Sequence, residues 1–300
     1  MSAPTCIAPS GDRCGEAATW SAAEAALYWV DINRFLIHRL DEASGAVRSW
    51  FFDQPVTALA LAGEGCLLVA LGDRLIWWWP ATDRRQDHGF QLSGAPHLRL
   101  NDGRADPLGN FWVGSMKNNV NADGSAGEVA KGQGSLYRIA PDGSVSQWRH
   151  GLGIPNTLCW SPEGTTFYFG DTLEDTIFAW DFDPASGDIS NERVFFAGAA
   201  AGAGGRGLPD GSTIDAGGYL WNCRYGGGAV LRIAPDGRLA QTIPLPVSNV
   251  TTCTFGGADL RTLYITTASA GAGPGERLAG GLFAIRTEVP GLPENHVHRI

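Results

Sequence analysis

Six short apolar runs punctuate the chain, and each is entered from a turn. In order they are Ala26-Leu27-Tyr28-Trp29-Val30-Asp31, Cys66-Leu67-Leu68-Val69-Ala70, Asn110-Phe111-Trp112-Val113-Gly114, Thr166-Phe167-Tyr168-Phe169-Gly170, Tyr219-Leu220-Trp221-Asn222-Cys223 and Thr262-Leu263-Tyr264-Ile265-Thr266. Aromatic and β-branched residues dominate them, which predicts strands rather than helices. With Tyr28, Leu68, Trp112, Tyr168, Trp221 and Tyr264 as markers, the spacing averages about 47 residues, the length of one four-stranded propeller blade. The pentapeptide Ile139-Ala140-Pro141-Asp142-Gly143 recurs letter for letter as Ile233-Ala234-Pro235-Asp236-Gly237, about two blade lengths later. Asp106-Pro107-Leu108-Gly109 and Asp215-Ala216-Gly217-Gly218 each place a D-x-x-G turn before an aromatic strand. The pattern predicts an all-β fold: a six-bladed β-propeller of four-stranded antiparallel blades around a central channel, with a chance run of Gly-rich turns in a β-sandwich as the competing reading.

Helical signal is weak, and Ser21 to Leu27 reads as a loop leading into a strand. The Gly/Ala tract Ala197 to Gly207 cannot pack a core and is expected to be a flexible loop. It immediately precedes Leu208-Pro209-Asp210, so it reads as a lid over that segment or as a tolerated surface insertion. The near-terminal His296 and His298 are expected to lie on a strand. Residues 1–300 are read as one domain, with 1–13 an irregular leading segment.

Composition supports this picture. Forty-one glycines, 11 Trp, 13 Phe and 6 Tyr against 18% charged residues describe many turns and many aromatic strands. The net charge of -9 argues against nucleic acid, whose binding surfaces are basic. The longest apolar run, Cys66 to Leu71, is strand-sized, so no membrane span is expected. Met1 to Arg13 lacks a basic stretch followed by an apolar one, so no secretory signal is expected. Six cysteines with no C-x-x-C are expected to be reduced thiols in a cytoplasmic protein.

A propeller gathers loops from every blade at one channel mouth, so polar residues distant in sequence can meet there. Asp210 is the strongest acid candidate, since Pro209 restricts the approach and Gly211 lets the backbone come close to a ligand. Glu16 is either a solvated loop acid or a partner for Asp210. Arg99 and Asn101 flank Leu100 and should point to one side of an extended segment, where they suit an oxygen-rich ligand. Asn156 follows Pro155 and offers an amide, whereas Asp171 reads as a turn former. Two carboxylates and an amide are the donors a hard divalent cation wants. No H-E-x-x-H, G-x-S-x-G or G-x-x-x-x-G-K-[ST] motif occurs, and Gly226-Gly227-Gly228 reads as a hairpin turn.

Taken together, Leu27-Tyr28-Trp29-Val30-Asp31-Ile32, Leu100-Asn101-Asp102-Gly103-Arg104-Ala105-Asp106-Pro107-Leu108-Gly109, Gly134-Ser135-Leu136-Tyr137-Arg138, Phe167-Tyr168-Phe169-Gly170-Asp171-Thr172, Leu208-Pro209-Asp210-Gly211 and Cys253-Thr254-Phe255-Gly256-Gly257 resemble the SMP-30/gluconolactonase/LRE family, the regucalcin and sugar-lactonase group. The resemblance implies one divalent metal ion (Ca²⁺, Zn²⁺, Mn²⁺, Mg²⁺ or Fe²⁺) held by Glu16, Asn156 and Asp210. It implies substrate contacts from Arg99 and Asn101, and a small-molecule sugar lactone as the partner of a monomer or weak homodimer. The implied activity is hydrolysis of an aldonolactone with Asp210 as catalytic base. Hydrolysis of another ester or organophosphate, and a calcium-binding regulatory role, are the alternatives. Two positions depart from the family pattern. Cys14-Gly15-Glu16-Ala17-Ala18 replaces the usual L-G-E-G-P, and Asn119 stands where several members have an acid, so its contact with sugar hydroxyls should differ.

Overall fold

A computed structural model describes residues 3–198 and 206–299, and they form six four-stranded antiparallel sheets arranged as a ring. Each of blades 1 to 5 takes four consecutive strands. Blade 6 takes three strands from the end of the chain, and Thr5–Ala8 pairs antiparallel with Leu282–Arg286 as its outer strand. The leading segment, expected to be irregular, therefore supplies the strand that closes the ring. Its four residues show no clear apolar alternation, which is why the pattern misses it. The inner strands are Gly15–Ser21, Val56–Leu61, Leu98–Ala105, Pro155–Trp160, Leu208–Ile214 and Val250–Gly256. Each packs against the next, and the last returns to the first.

All six marker residues fall in the second strand of their blade: Ala26–Asp31, Leu67–Leu71, Phe111–Lys117, Thr166–Asp171, Leu220–Tyr225 and Thr262–Thr267. These strands are covered on both faces by neighbouring blades, so both alternating sets of side chains must be apolar. Blade 1 shows the consequence. Tyr28 and Val30 pack with Leu67 and Trp78 of blade 2, while Leu27 and Trp29 pack with Tyr264 and Leu282 of blade 6. Six such clusters fill the six interfaces between adjacent blades. Because the core lies between blades, the central axis is left to polar side chains.

Both copies of the repeated pentapeptide are hairpins between third and outer strands, each closed by a bond from the Gly nitrogen (Gly143, Gly237) to the Ala carbonyl (Ala140, Ala234). The two D-x-x-G turns also share a mechanism. Asp106 and Asp215 accept backbone N–H groups of their own turns, and their second oxygens accept the indole N–H of Trp112 and Trp221, at 2.9 and 3.0 Å. The bond spares each of these fully buried indole N–H groups the cost of an unpaired donor. All six cysteines are free.

Residues 287–299 form no strand, which corrects the expectation for His296 and His298; His296 makes only an isolated bridge with Leu61. Instead the segment runs across the rear of the ring. It bonds to blade 6 (Gly291 N to Leu260 O), blade 5 (Ala216 N to Pro290 O), blade 3 (His298 N to Gly109 O) and blade 2 (Val297 N to Leu61 O). Most of these tethers lie at the ends of the inner strands, so the segment closes the rear of the channel. Among the described residues the only helical element is the 3-10 turn Thr172–Glu174, and no helix is long and apolar enough to cross a membrane. Residues 199–205, most of the tract expected to form a loop or lid, lie outside the described residues.

Removing residues 1–8 should expose the edge of Leu282–Arg286 and lower the thermal midpoint by roughly 3 °C, the shift expected for loss of ~2 kcal/mol in a chain of this size. An unchanged midpoint in a melting experiment would show that the ring closes without that strand.

Candidate functional site at the front of the channel

Glu16, Arg99, Asn101, Asn156 and Asp210 sit where the inner strands begin, at the end of the channel opposite the C-terminal segment, and Asn119 follows the second strand Phe111–Lys117. In every blade the inner strand slips register against the second strand, between Glu16 and Thr19, Val56 and Ala58, Leu100 and Gly103, Asn156 and Cys159, Pro209 and Ser212, and Val250 and Cys253. A bulge kinks the strand and re-aims a side chain. Glu16, Asn101, Asn156 and Asp210 all lie at or inside these slips. Asn101-Asp102-Gly103 and Pro209-Asp210-Gly211, sequences common in turns, are thus bulged strand, and Pro155-Asn156 likewise opens an inner strand. Gly and Asn serve both geometries, since each tolerates unusual backbone angles.

Two of the bulges contain residues in the left-handed region, Ala17 (φ 53) and Thr157 (φ 57), and each directly follows a candidate ligand. Such conformations are costly for Ala and more so for β-branched Thr, and they persist only where the surroundings impose them. The surroundings here are two aspartates that end second strands. Asp31 accepts the backbone N–H groups of Arg13 and Cys14, just before Glu16. Asp171 accepts those of Gly153 (2.8 Å) and Ile154 (3.1 Å), just before Asn156. Asp171 is therefore a turn former, as expected, and one that sets the entry of a candidate ligand strand.

Glu16 and Asp210 lie close enough for each carboxyl to shift the titration of the other. Burial, and then the other's negative charge, push Glu16 well above the usual carboxylate range. Burial, and then Asp102, push Asp210 up in the same direction. Such a pair cannot carry two negative charges unless a cation joins it. Asp102, which carries no sequence signal of its own, is pushed up to about 6 by burial.

Asn156 completes the donor set. Its Nδ2 donates to Thr172 Oγ1 at 2.8 Å, and that hydroxyl donates to Pro209 O at 2.7 Å. This chain fixes the amide orientation and leaves Oδ1 as the atom presented to the site, 3.2 Å from Asn101 Nδ2. Thr172 thus orients one candidate ligand and anchors the strand that carries another. Asn101 is engaged within the protein at both ends: Nδ2 also donates to Pro155 O (2.8 Å), and Oδ1 accepts from Arg99 (2.7 Å). A Cβ at Gly211 would collide with Thr252 of the next inner strand, so the glycine permits close strand-to-strand approach.

Arg99 is buried, and burial pulls it down to about 10. Its hydrogen-bond partners are all neutral oxygens: Asn119 Oδ1 twice (3.1 and 2.7 Å), Leu100 O (2.8 Å) and Asn101 Oδ1. These take four of its five N–H groups, leaving one on Nη2 without a partner among the described residues. Asn119 spends Oδ1 on Arg99, and its Nδ2 has no partner among the described residues. Tyr225, which carried no sequence signal, is 36% exposed at the same mouth, and burial and then the charges of Cys14, Asp210 and Glu16 push its phenol up to about 12.

All candidate metal donors here are oxygens. Among the described residues no group of three His, Cys, Asp or Glu side chains is placed to hold a metal, so the set is two carboxylates completed by an amide. Two buried acids forced to share a proton, beside an amide oxygen held in place, fit a hard divalent cation.

Comparison with known proteins bears on this site. The family model described as SMP-30/Gluconolactonase/LRE-like region matches residues 14–269. The chain is 33% identical to regucalcin of Gallus gallus over 303 residues, covering 96% of each protein. It is also 33% identical to 6-deoxy-6-sulfogluconolactonase of Pseudomonas putida over 299 residues, again covering 96% of each. Among solved structures, a calcium-binding protein of Agrobacterium tumefaciens described as regucalcin superposes with a TM-score of 0.89 at 30% identity, over 100% of this chain and 98% of the other.

Because Glu16, Asp102 and Asp210 hold protons more tightly folded than unfolded, chelator-treated protein should lose stability as pH rises from about 4 to about 7. Added divalent cation should remove that slope. Thermal melts that rise across the interval in chelator would contradict the buried-pair description.

Proposed function

The chain belongs to the SMP-30/Gluconolactonase/LRE-like family, and from that premise we propose that it hydrolyses an aldonolactone to the aldonic acid with one bound divalent cation. It would then be a carboxylic-ester hydrolase of carbohydrate catabolism. The observation that carries the reading is the buried Glu16–Asp210 pair, set beside an arginine with an unspent N–H. The pair has the negative charge to take up a cation, and the arginine has a donor for an oxygen-rich substrate.

Glu16, Asn156 Oδ1 and Asp210 would hold the cation, which when bound supplies Lewis acidity toward the lactone carbonyl. Asp210 has two carboxylate oxygens, so one can hold the cation while the other accepts a proton from the attacking water. The water oxygen bonds to the acyl carbon, the ring C–O bond breaks, and the proton passes to the departing ring oxygen. That oxygen becomes a hydroxyl of the open acid. Arg99 Nη2 and Asn119 Nδ2 donate to ring or hydroxyl oxygens of the sugar. Asn101 braces the arginine against Asn156, and Tyr225 walls the mouth.

The test is a pH-indicator assay across five- and six-membered aldonolactones, using chelator-stripped protein with each cation restored in turn. Acid release above the spontaneous rate is expected only with cation. Asp210→Asn should reduce kcat on the order of 100-fold or more, the scale of a lost general base. Cation binding with no acceleration of any lactone would favour a calcium-binding role instead.

Asn119→Glu can still accept from Arg99 but replaces an amide donor with a carboxylate. The ratio of KM values between lactones that differ in hydroxyl stereochemistry should shift about tenfold, the scale of a gained or lost hydrogen bond. An unchanged ratio would remove Asn119 from the substrate contacts.

A further inference from the structure

The channel behind the site contains an ion pair that the proposed chemistry does not use. Arg104 lies two residues beyond Asp102 on the same inner strand, and both line a cavity of about 10 Å³ enclosed by residues of all six inner strands, among them Thr19, Leu59, Leu158, Ser212 and Thr252. Its Nη1 donates to Ser212 O at 2.8 Å, just past Asp210. Its Nη2 meets Glu294 Oε1 at 3.1 Å, and the same oxygen accepts from Thr254 Oγ1 at 2.6 Å. The side chains of Arg104 and Glu294 are only 18% and 10% exposed. Glu294 reaches this position because residues 287–299 cross the rear of the ring and carry it in.

From front to rear the axis therefore carries the acidic cradle of Glu16 and Asp210 and the acid Asp102, then the base Arg104, then the acid Glu294. A buried guanidinium between two carboxylates is held by whichever bonds it directly, and here that is Glu294. Without that negative charge, Arg104 would face the front acids as their only counter-charge from the rear and would oppose the uptake of a second cation.

We propose that Glu294 is a positioning residue for the front site: it neutralises Arg104 at the rear of the channel and so leaves the Glu16–Asp210 cradle free to take its cation. This inference rests on the cation reading above.

Glu294→Gln keeps the acceptor oxygen for Arg104 and Thr254 and removes only the charge, while the backbone bonds at Leu61, Gly109, Ala216 and Leu260 keep the segment docked. Calorimetric titration with Ca²⁺ and Mn²⁺ should show on the order of 10-fold weaker binding in E294Q, the scale of one uncompensated charge acting through the protein interior. The double variant R104M/E294Q removes both charges and should bind within about threefold of wild type, a fraction of that same effect. Failure of the double variant to recover would assign Glu294 a packing role only and overturn the proposal. Unchanged affinity in E294Q would overturn this inference alone. Wild-type protein that took up neither cation would overturn the cation reading and this inference with it.

Discussion

Two carboxylates, Glu16 and Asp210, are buried against one another at the front of the channel, and the organisation of the site follows from that pair. Like charges in a dehydrated place are tolerated only with a proton or a cation between them. Such an arrangement requires strands remote in sequence to be fixed within hydrogen-bond reach. The ring provides this, because it stores its apolar surface between blades and leaves the axis to groups that a single central core would have expelled. Closure by Thr5–Ala8 is part of the same requirement, since an open ring would let the first and fifth inner strands drift apart.

Fine placement comes from the backbone. Each inner strand is bulged, and in blades 1 and 4 the bulge forces Ala17 and Thr157 into left-handed conformations immediately after Glu16 and Asn156. Asp31 and Asp171 hold those strand entries by accepting backbone N–H groups from the residues before them. Opposed blades thus use one device to aim a carboxylate and an amide toward the same point. Where the family pattern supplies glycine after the glutamate, this chain places Ala17 in a conformation that glycine would adopt without strain. The departure seen in Cys14-Gly15-Glu16-Ala17-Ala18 is accommodated by strain rather than by a different path.

The blade count was readable because second strands buried on both faces show as unbroken apolar runs, such as Leu67 to Leu71, that short turns cannot imitate. Asp210 was readable from its Pro-Asp-Gly setting, although the setting proved to be a strand bulge, since the same residues satisfy both geometries. Glu16 and Asn156 had little local signal, and their link to Asp210 came from the family resemblance. Asp102, Thr172 and Tyr225 were missed for a common reason. Their significance lies in what they face across the channel, and no spacing along the chain encodes that. The rear closure by residues 287–299 was hidden in the same way, because an extended segment held by bonds to several blades carries no periodic pattern.

Crystals grown with Mn²⁺ and measured at a wavelength where manganese scatters anomalously would locate the cation. One strong anomalous peak is expected at the front of the channel, bonded to carboxylate oxygens of Glu16 and Asp210 and to Asn156 Oδ1. A peak at another place on the molecule, or no peak at all, would contradict the cation reading.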